Sequence, residues 1–441
     1  MTGHASRTWL TCPHGLHVPR RRPSTAGKQT KNPSKHFKKP KKAMQNNRSR
    51  YMDPLVVAIF TVLCLIMAVI PTGFEDRVAN EAVRCRGEVL EVDNSSVQEL
   101  GLIKTGDQTV TLRLLDGPYE GRVVSGNNPL MGMMDRDKVF APGDTALVVL
   151  SLDAAGNIAF VNPQEHYRLG LVVLLIGLFA LFLIGFGGWT GVKALLSFVL
   201  TALALWKLLV PLMLKGVDPI WLTLGLVAFL TAAILFLVAG FNRRGVAAFT
   251  GAFLGVLTSC LLAIVFTHKL HLHGAVMPFA ETLLYAGFNH LDLTRIYIAA
   301  VFLAASGAVM DLAMDVSASM YEVVQKKPHI TRMEALASGM TVARAVVGTM
   351  TTTLLFAYSG GFITLLMAFK AQGVPLTNLF NVIYVAAEVL KTLVGSFGLI
   401  MVGPFTAVVG AVLFVRKPER VPDKACDGKL DEDLAMQAPS S

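Results

Sequence analysis

The residues best equipped for chemistry lie in Gly307-Ala-Val-Met-Asp-Leu-Ala-Met-Asp-Val-Ser-Ala-Ser-Met-Tyr-Glu322. Asp311, Asp315 and Glu322 end a long apolar run that begins near Ile296. Spacings of four and seven put all three near one helical face. Ionisable groups at membrane depth are costly, so such a stripe turns toward protein, water or a cation. With a rise of about 1.5 Å per residue, Asp311 lies roughly 22 Å and Asp315 roughly 28 Å along the helix from Ile296. Glu322 falls past a hydrocarbon layer about 30 Å thick. Arg344, entering from the other side near Gly339, reaches roughly 7 Å and so matches the depth of Asp311.

Two chemistries fit this set. In one, Arg344 forms a buried ion pair with Asp311 or Asp315, and the remaining carboxylates sit at the membrane edge. In the other, the acidic excess binds a small cation or a proton. Ser317, Ser319, Thr349, Thr351, Thr352 and Thr353 would then supply the oxygen ligands that hard cations prefer. Threonines in membrane helices also bond back to their own helix, which is the plainer account of that run. Glu388 and Lys391, three apart, can pair along one helix and would line a cavity if their segment is re-entrant. His268, His271 and His273 are weak metal candidates, because no Glu or Cys adjoins them. An aspartyl protease needs two carboxylates facing across a cleft, and the sequence offers no second helix with an inward Asp and no Gly-x-Gly-Asp sequence. No phosphate loop or dinucleotide fingerprint occurs either, so neither enzymatic activity nor a cofactor is expected.

The elements that must position these residues are membrane helices. The chain has 441 residues, 53% hydrophobic and 16% charged, with a mean hydropathy of +0.54. Soluble domains are about 25% charged. Several runs of about 20 apolar residues mark an integral membrane protein. The net charge of +10 is concentrated. Thirteen Lys and Arg, and no acid, precede Tyr51. Residues 1–52 therefore read as a disordered basic tail drawn to anionic lipid headgroups. A nucleic-acid partner is not expected. The five cysteines are scattered and form no CxxC pair.

An uncleaved first span is expected over 53–72 and an all-β, barrel or OB-like domain over 73–168. Strands are expected at Val83–Val92, Thr109–Leu115, Tyr119–Val124, Thr145–Leu152 and Ile158–Val161, with a turn at Ser125-Gly-Asn-Asn-Pro129. A multispan helical domain follows over 169–415, then a cytoplasmic tail over 416–441. Its apolar runs are Leu169–Phe186, Val192–Leu214, Ile220–Ala239, Val246–Phe266, Ile296–Met314, Met340–Tyr358 and one near Val394–Val415. With the first, that makes about eight spans. Between them, Phe362–Ala387 reads as a broken helix plus an interfacial or re-entrant piece; ten spans is the alternative. Basic clusters at the N-terminal tail, Arg243-Arg244, Lys326-Lys327 with Arg332, and Arg416-Lys417 with Arg420 are separated by even numbers of spans. All four then lie on one side, which puts both termini in the cytoplasm and the β domain outside.

The segment Gly307–Glu322, with Gly348-Thr-Met-Thr-Thr-Thr-Leu-Leu-Phe-Ala-Tyr358 and Ala386-Ala-Glu-Val-Leu-Lys-Thr-Leu-Val-Gly395, resembles the YibE/F-like family of bacterial multispan membrane proteins. The resemblance covers about Arg77 to Val415. It implies an extracytoplasmic domain followed by a multispan bundle in the bacterial cytoplasmic membrane, and it carries no substrate.

The expected function is that of a transporter- or channel-like protein with an intramembrane acidic cation or proton site. The alternative is a non-transporting scaffold or sensor whose outer β domain binds a partner. A homo-oligomer and a partner membrane protein both remain open. If Arg344 neutralises Asp311, Arg344→Ala lowers the thermal midpoint of the detergent-solubilised protein and Asp311→Asn partly restores it. Absence of any restoration argues against the pair.

Overall fold

The computed structural model describes residues 47–75 and 82–415. The tail expected over 1–52 lies outside them as far as residue 46, and so does the whole tail expected over 416–441. Helix α1 spans Asn47–Val69 and stops before Pro71, which disfavours helical backbone at the residue ahead of it.

Among the described residues, six stretches are long and apolar enough to cross a membrane: Leu169–Leu214, Pro219–Val238, Arg243–Lys269, Leu293–Lys326, Arg332–Gly361 and Ile383–Phe414. Pro54–Val69, within α1, is a shorter apolar helix. The first of the six is not straight. Helix α2 (Leu169–Ala204) reverses at Gly188, whose φ of 53° and ψ of −128° suit only glycine. Phe179 and Phe198 consequently meet with ring centroids 5.5 Å apart. In a continuous helix their backbones would be roughly 28 Å apart. Gly191 also packs directly on the Leu183 carbonyl. The two apolar runs expected here are thus antiparallel arms. A π-turn (Leu205–Leu209) and α3 (Val210–Leu214) continue the second arm.

The remaining helices are α4 (Pro219–Ala239), α5 (Arg243–Lys269), α6 (Ala280–Tyr285), α7 (Leu293–Lys326), α8 (Arg332–Gly361), α9 (Ile363–Ala371), α10 (Leu376–Asn381) and α11 (Ile383–Phe414). Helices α5, α7 and α11 pack mutually, with α8 on α7 and α11 and α4 on α5 and α7. Glycines set the α5–α11 contact. A Cβ on Gly255 would lie 2.9 Å from Val402, and one on Gly251 would overlap Thr406. Gly398 similarly accommodates Ser259, whose hydroxyl donates to the Val394 carbonyl at 3.2 Å.

The ten-span alternative and one expectation are corrected here. α9 and α10 are too short to cross a membrane, so they do not supply two further spans. The segment carrying Glu388 and Lys391 is not a separate interfacial piece, because α11 runs unbroken from Ile383 through Pro404 to Phe414. Gly403, which precedes that proline, is occupied by close packing: a Cβ there would lie 2.7 Å from that of Ala343.

Strands β1 (Ala82–Leu100), β2 (Ile103–Leu114), β3 (Val123–Met131), β4 (Thr145–Leu152) and β5 (Ile158–His166) form one antiparallel sheet in the order β3-β2-β1-β4-β5. β1 pairs with β4 through its first half and with β2 from Gly87 onward, so it bends across the sheet. The outer strands nearly meet, since a Cβ on Gly126 would lie 2.8 Å from the Val161 carbonyl. The sheet is a nearly closed barrel around Val89, Leu112, Val148 and Leu150. Its edge strands carry Pro129 and Pro163, where a missing N–H is tolerated.

The turn expected at Ser125–Pro129 is instead the middle of β3, and Tyr119–Gly121 is a turn. Gly126, Asn128 and Leu130 alternate inward along β3. Asn128 is tolerated there because its amide donates to the Gln108 side chain (3.1 Å) and the Lys138 carbonyl (2.6 Å). Gln108, fully buried, also donates to the Phe140 carbonyl and accepts from the Phe140 N–H, both at 3.0 Å. Gln108→Leu strands these partners and costs about 2–3 kcal/mol. The expected result is faster hydrogen exchange at the Phe140 amide of the full chain; unchanged protection there would mean that Gln108 does not hold this loop.

Candidate functional site: an acidic helix face and a charged cavity

Asp292 starts α7, accepting from the backbone N–H groups of Thr294 and Arg295 at 3.0 Å each. Arg295 pairs with Asp218, which caps α4 in the same way. One face of α7, from Tyr297 through Phe302, Val309 and Val316 to Met320, is buried in the helical core. Ser317 is buried as well and donates to the Arg244 carbonyl at 2.8 Å, so it ties α7 to the start of α5. Arg244 lies over the Tyr321 ring at 5.2 Å. These contacts set the rotation of α7 about its axis. They leave Ala304, Gly307, Asp311, Asp315 and Glu322 exposed, on the opposite face.

Helix α8 buries Ala335, Gly339, Ala343 and Leu354, with Met320 of α7 seated on Gly339. Arg344 is on its exposed side. Among the described residues, Asp311, Asp315 and Arg344 enter no ion pair. The matched depths read from the helix rise do not bring them together within one chain, because each projects away from the core. Ser319 is half-buried on α7. Thr349 and Thr352 donate to the Val346 and Thr349 carbonyls of their own helix at 3.0 and 2.7 Å.

A second group lies at the end of the bundle where α7 and α11 begin. Glu388 and Lys391 pair at 3.4 Å and line a cavity of about 230 Å³ with Tyr297, Tyr384, Phe362 and Leu365. The Tyr297 hydroxyl donates to the Ala387 carbonyl at 2.7 Å. Lys391 Nζ sits 5.2 Å above the Tyr358 ring. The Tyr358 hydroxyl is buried without a hydrogen-bond partner among the described residues. The cavity offers a carboxylate, an ammonium and the Tyr384 phenol to a small polar solute, within otherwise apolar walls. Sequence reasoning found Glu388 and Lys391 by their spacing, but it missed the cavity tyrosines Tyr297 and Tyr384 and the Tyr358 ring under Lys391. Nothing in an apolar run tells a cavity tyrosine from a lipid-facing one.

His268 ends α5, His271 adopts a positive φ of 50°, and His273 precedes a short 3-10 turn. The described residues contain no group of three or more His, Cys, Asp or Glu able to hold a metal ion. His268 instead lines a 380 Å³ cleft with Asp292 and Arg295.

A family model described as YibE/F-like protein matches residues 175–416, more than half of the 441-residue chain. The match begins inside α2, so it is narrower than the resemblance from Arg77 and leaves out the β barrel. No curated protein and no solved structure matches.

Removing one member of a partly buried pair leaves the other uncompensated. Lys391→Met is therefore expected to cost about 1–3 kcal/mol, discounted for partial exposure. Tyr358→Phe should stay within about 0.5 kcal/mol, since its hydroxyl gives up no bond. Thermal denaturation in detergent compares the two; equal losses would contradict this assignment.

Proposed function

The chain belongs to the YibE/F-like family, and from that premise we propose that it is a multi-pass transporter- or channel-like protein of the bacterial cytoplasmic membrane. Its cargo is a small cation or a proton, carried past Asp311 and Asp315 with Arg344 as counter-charge. The observation that carries this reading is the pair of carboxylates without a cationic partner among the described residues, on an apolar helix. Charges so placed are functional by default. Eight crossings follow if α1, both arms of α2–α3, α4, α5, α7, α8 and α11 each span. Arg243, Arg244, Lys326 and Lys327 then share the cytoplasmic side with both termini, and the β barrel lies outside. The cavity at Glu388 and Lys391 would open toward that outer side.

A scaffold or sensor is the competing reading, and it is supported by the threonine hydroxyls already bonded within α8. Flux separates the two. Protein reconstituted in liposomes with pH- and cation-sensitive dyes is expected to conduct, and Asp311→Asn with Asp315→Asn to abolish conduction. Flux unaffected by the double substitution rejects the ion-site reading.

A further inference from the structure

Long helices in the bundle show what a lipid-facing surface looks like. Exposed faces carry Leu171, Leu175 and Phe182 on α2, Leu261 and Val265 on α5, and Leu393, Phe397, Val408 and Val412 on α11. Helix α7 is different: among its 34 residues no large apolar side chain is exposed. Its exposed positions are Ala304, Gly307, Asp311, Asp315 and Glu322, then Gln325 and Lys326 at its end. The adjoining half of α8 exposes Thr341, Arg344, Ala345, Gly348 and Thr349. Small and polar residues are poor lipid neighbours but good helix–helix contacts. Cβ atoms added at Gly307 or Gly348 would meet nothing within 4 Å, so another backbone has room to approach.

The charges on this surface complement one another in level. Measured from the turn joining α7 to α8, Asp315 is roughly 17 Å and Asp311 roughly 23 Å back along α7. Arg344 is roughly 18 Å along α8 from the same turn, between the two. A second copy related by an axis along the bundle would hold its Arg344 at that same level. We propose that this face of α7 and α8 is covered by a second copy of the chain, whose Arg344 pairs with Asp311 and Asp315. The inference rests on the helices crossing a membrane but not on ion movement, so each can fail without the other.

The test uses full-length protein with its five cysteines replaced by alanine. One tagged copy carries Asp311→Cys and a differently tagged copy carries Arg344→Cys. Both are co-expressed and treated in native membranes with a short bismaleimide. A covalent dimer bearing both tags is expected, and none when the lipid-facing Leu175→Cys replaces either. Arg344→Asp should abolish the dimer on native gels, and adding Asp311→Arg should restore it; the restored pair also guards against simple misfolding. The proposal is overturned by monomers throughout, by cross-links to a different protein, or by a dimer indifferent to both charge reversals.

Discussion

The close approach of α5 and α11 is the constraint on which the helical part depends. Gly251, Gly255 and Gly398 have no side chains where the two helices touch, so Thr406, Val402 and Ser259 fill the space directly. Between helices in a lipid environment the gain comes from such contact rather than from expulsion of water. Once this pair is set, α7 has a groove into which only its apolar face fits. Ser317 and Arg295 lock it at either end through the Arg244 carbonyl and Asp218.

The position of the acids follows from that packing. A helix that buries Phe302, Val309, Val316 and Met320 must place Asp311 and Asp315 on the far side, because both faces belong to one rigid cylinder. The chain thus has two charged regions of different character. Glu388 and Lys391 pair at a cavity at one end of the bundle, whereas Asp311, Asp315 and Arg344 are exposed on α7 and α8.

The β barrel solves a separate problem with similar means. Gln108 and Asn128 are almost wholly buried in its small core, and the Asn128 Oδ1 has no hydrogen-bond partner among the described residues. They are accommodated because they bond to each other and to the 138–140 loop, which also brings Phe140 into the core. The family match begins at residue 175, after the last strand of this barrel.

The apolar helices, the arms on either side of Gly188, the β region before them and the acidic stripe were all legible from the sequence. Each rests on local composition or on a helical or alternating period. The strand through Ser125–Pro129 was hidden because Gly, Asn and Pro there serve barrel closure and an edge strand rather than a turn. The continuity of α11 was hidden because a charged pair so near the start of an apolar run reads equally well as an interfacial piece, and only the packing of α11 on α5, α7 and α8 joins the two parts into one helix. Depth along a helix also comes from counting residues, which is how Arg344 and Asp311 were matched. What only the tertiary structure decided is which way each helix turns about its own axis. That rotation is set by side chains on neighbouring helices, many far away in the chain. It sends Asp311 and Arg344 away from the core of their own chain.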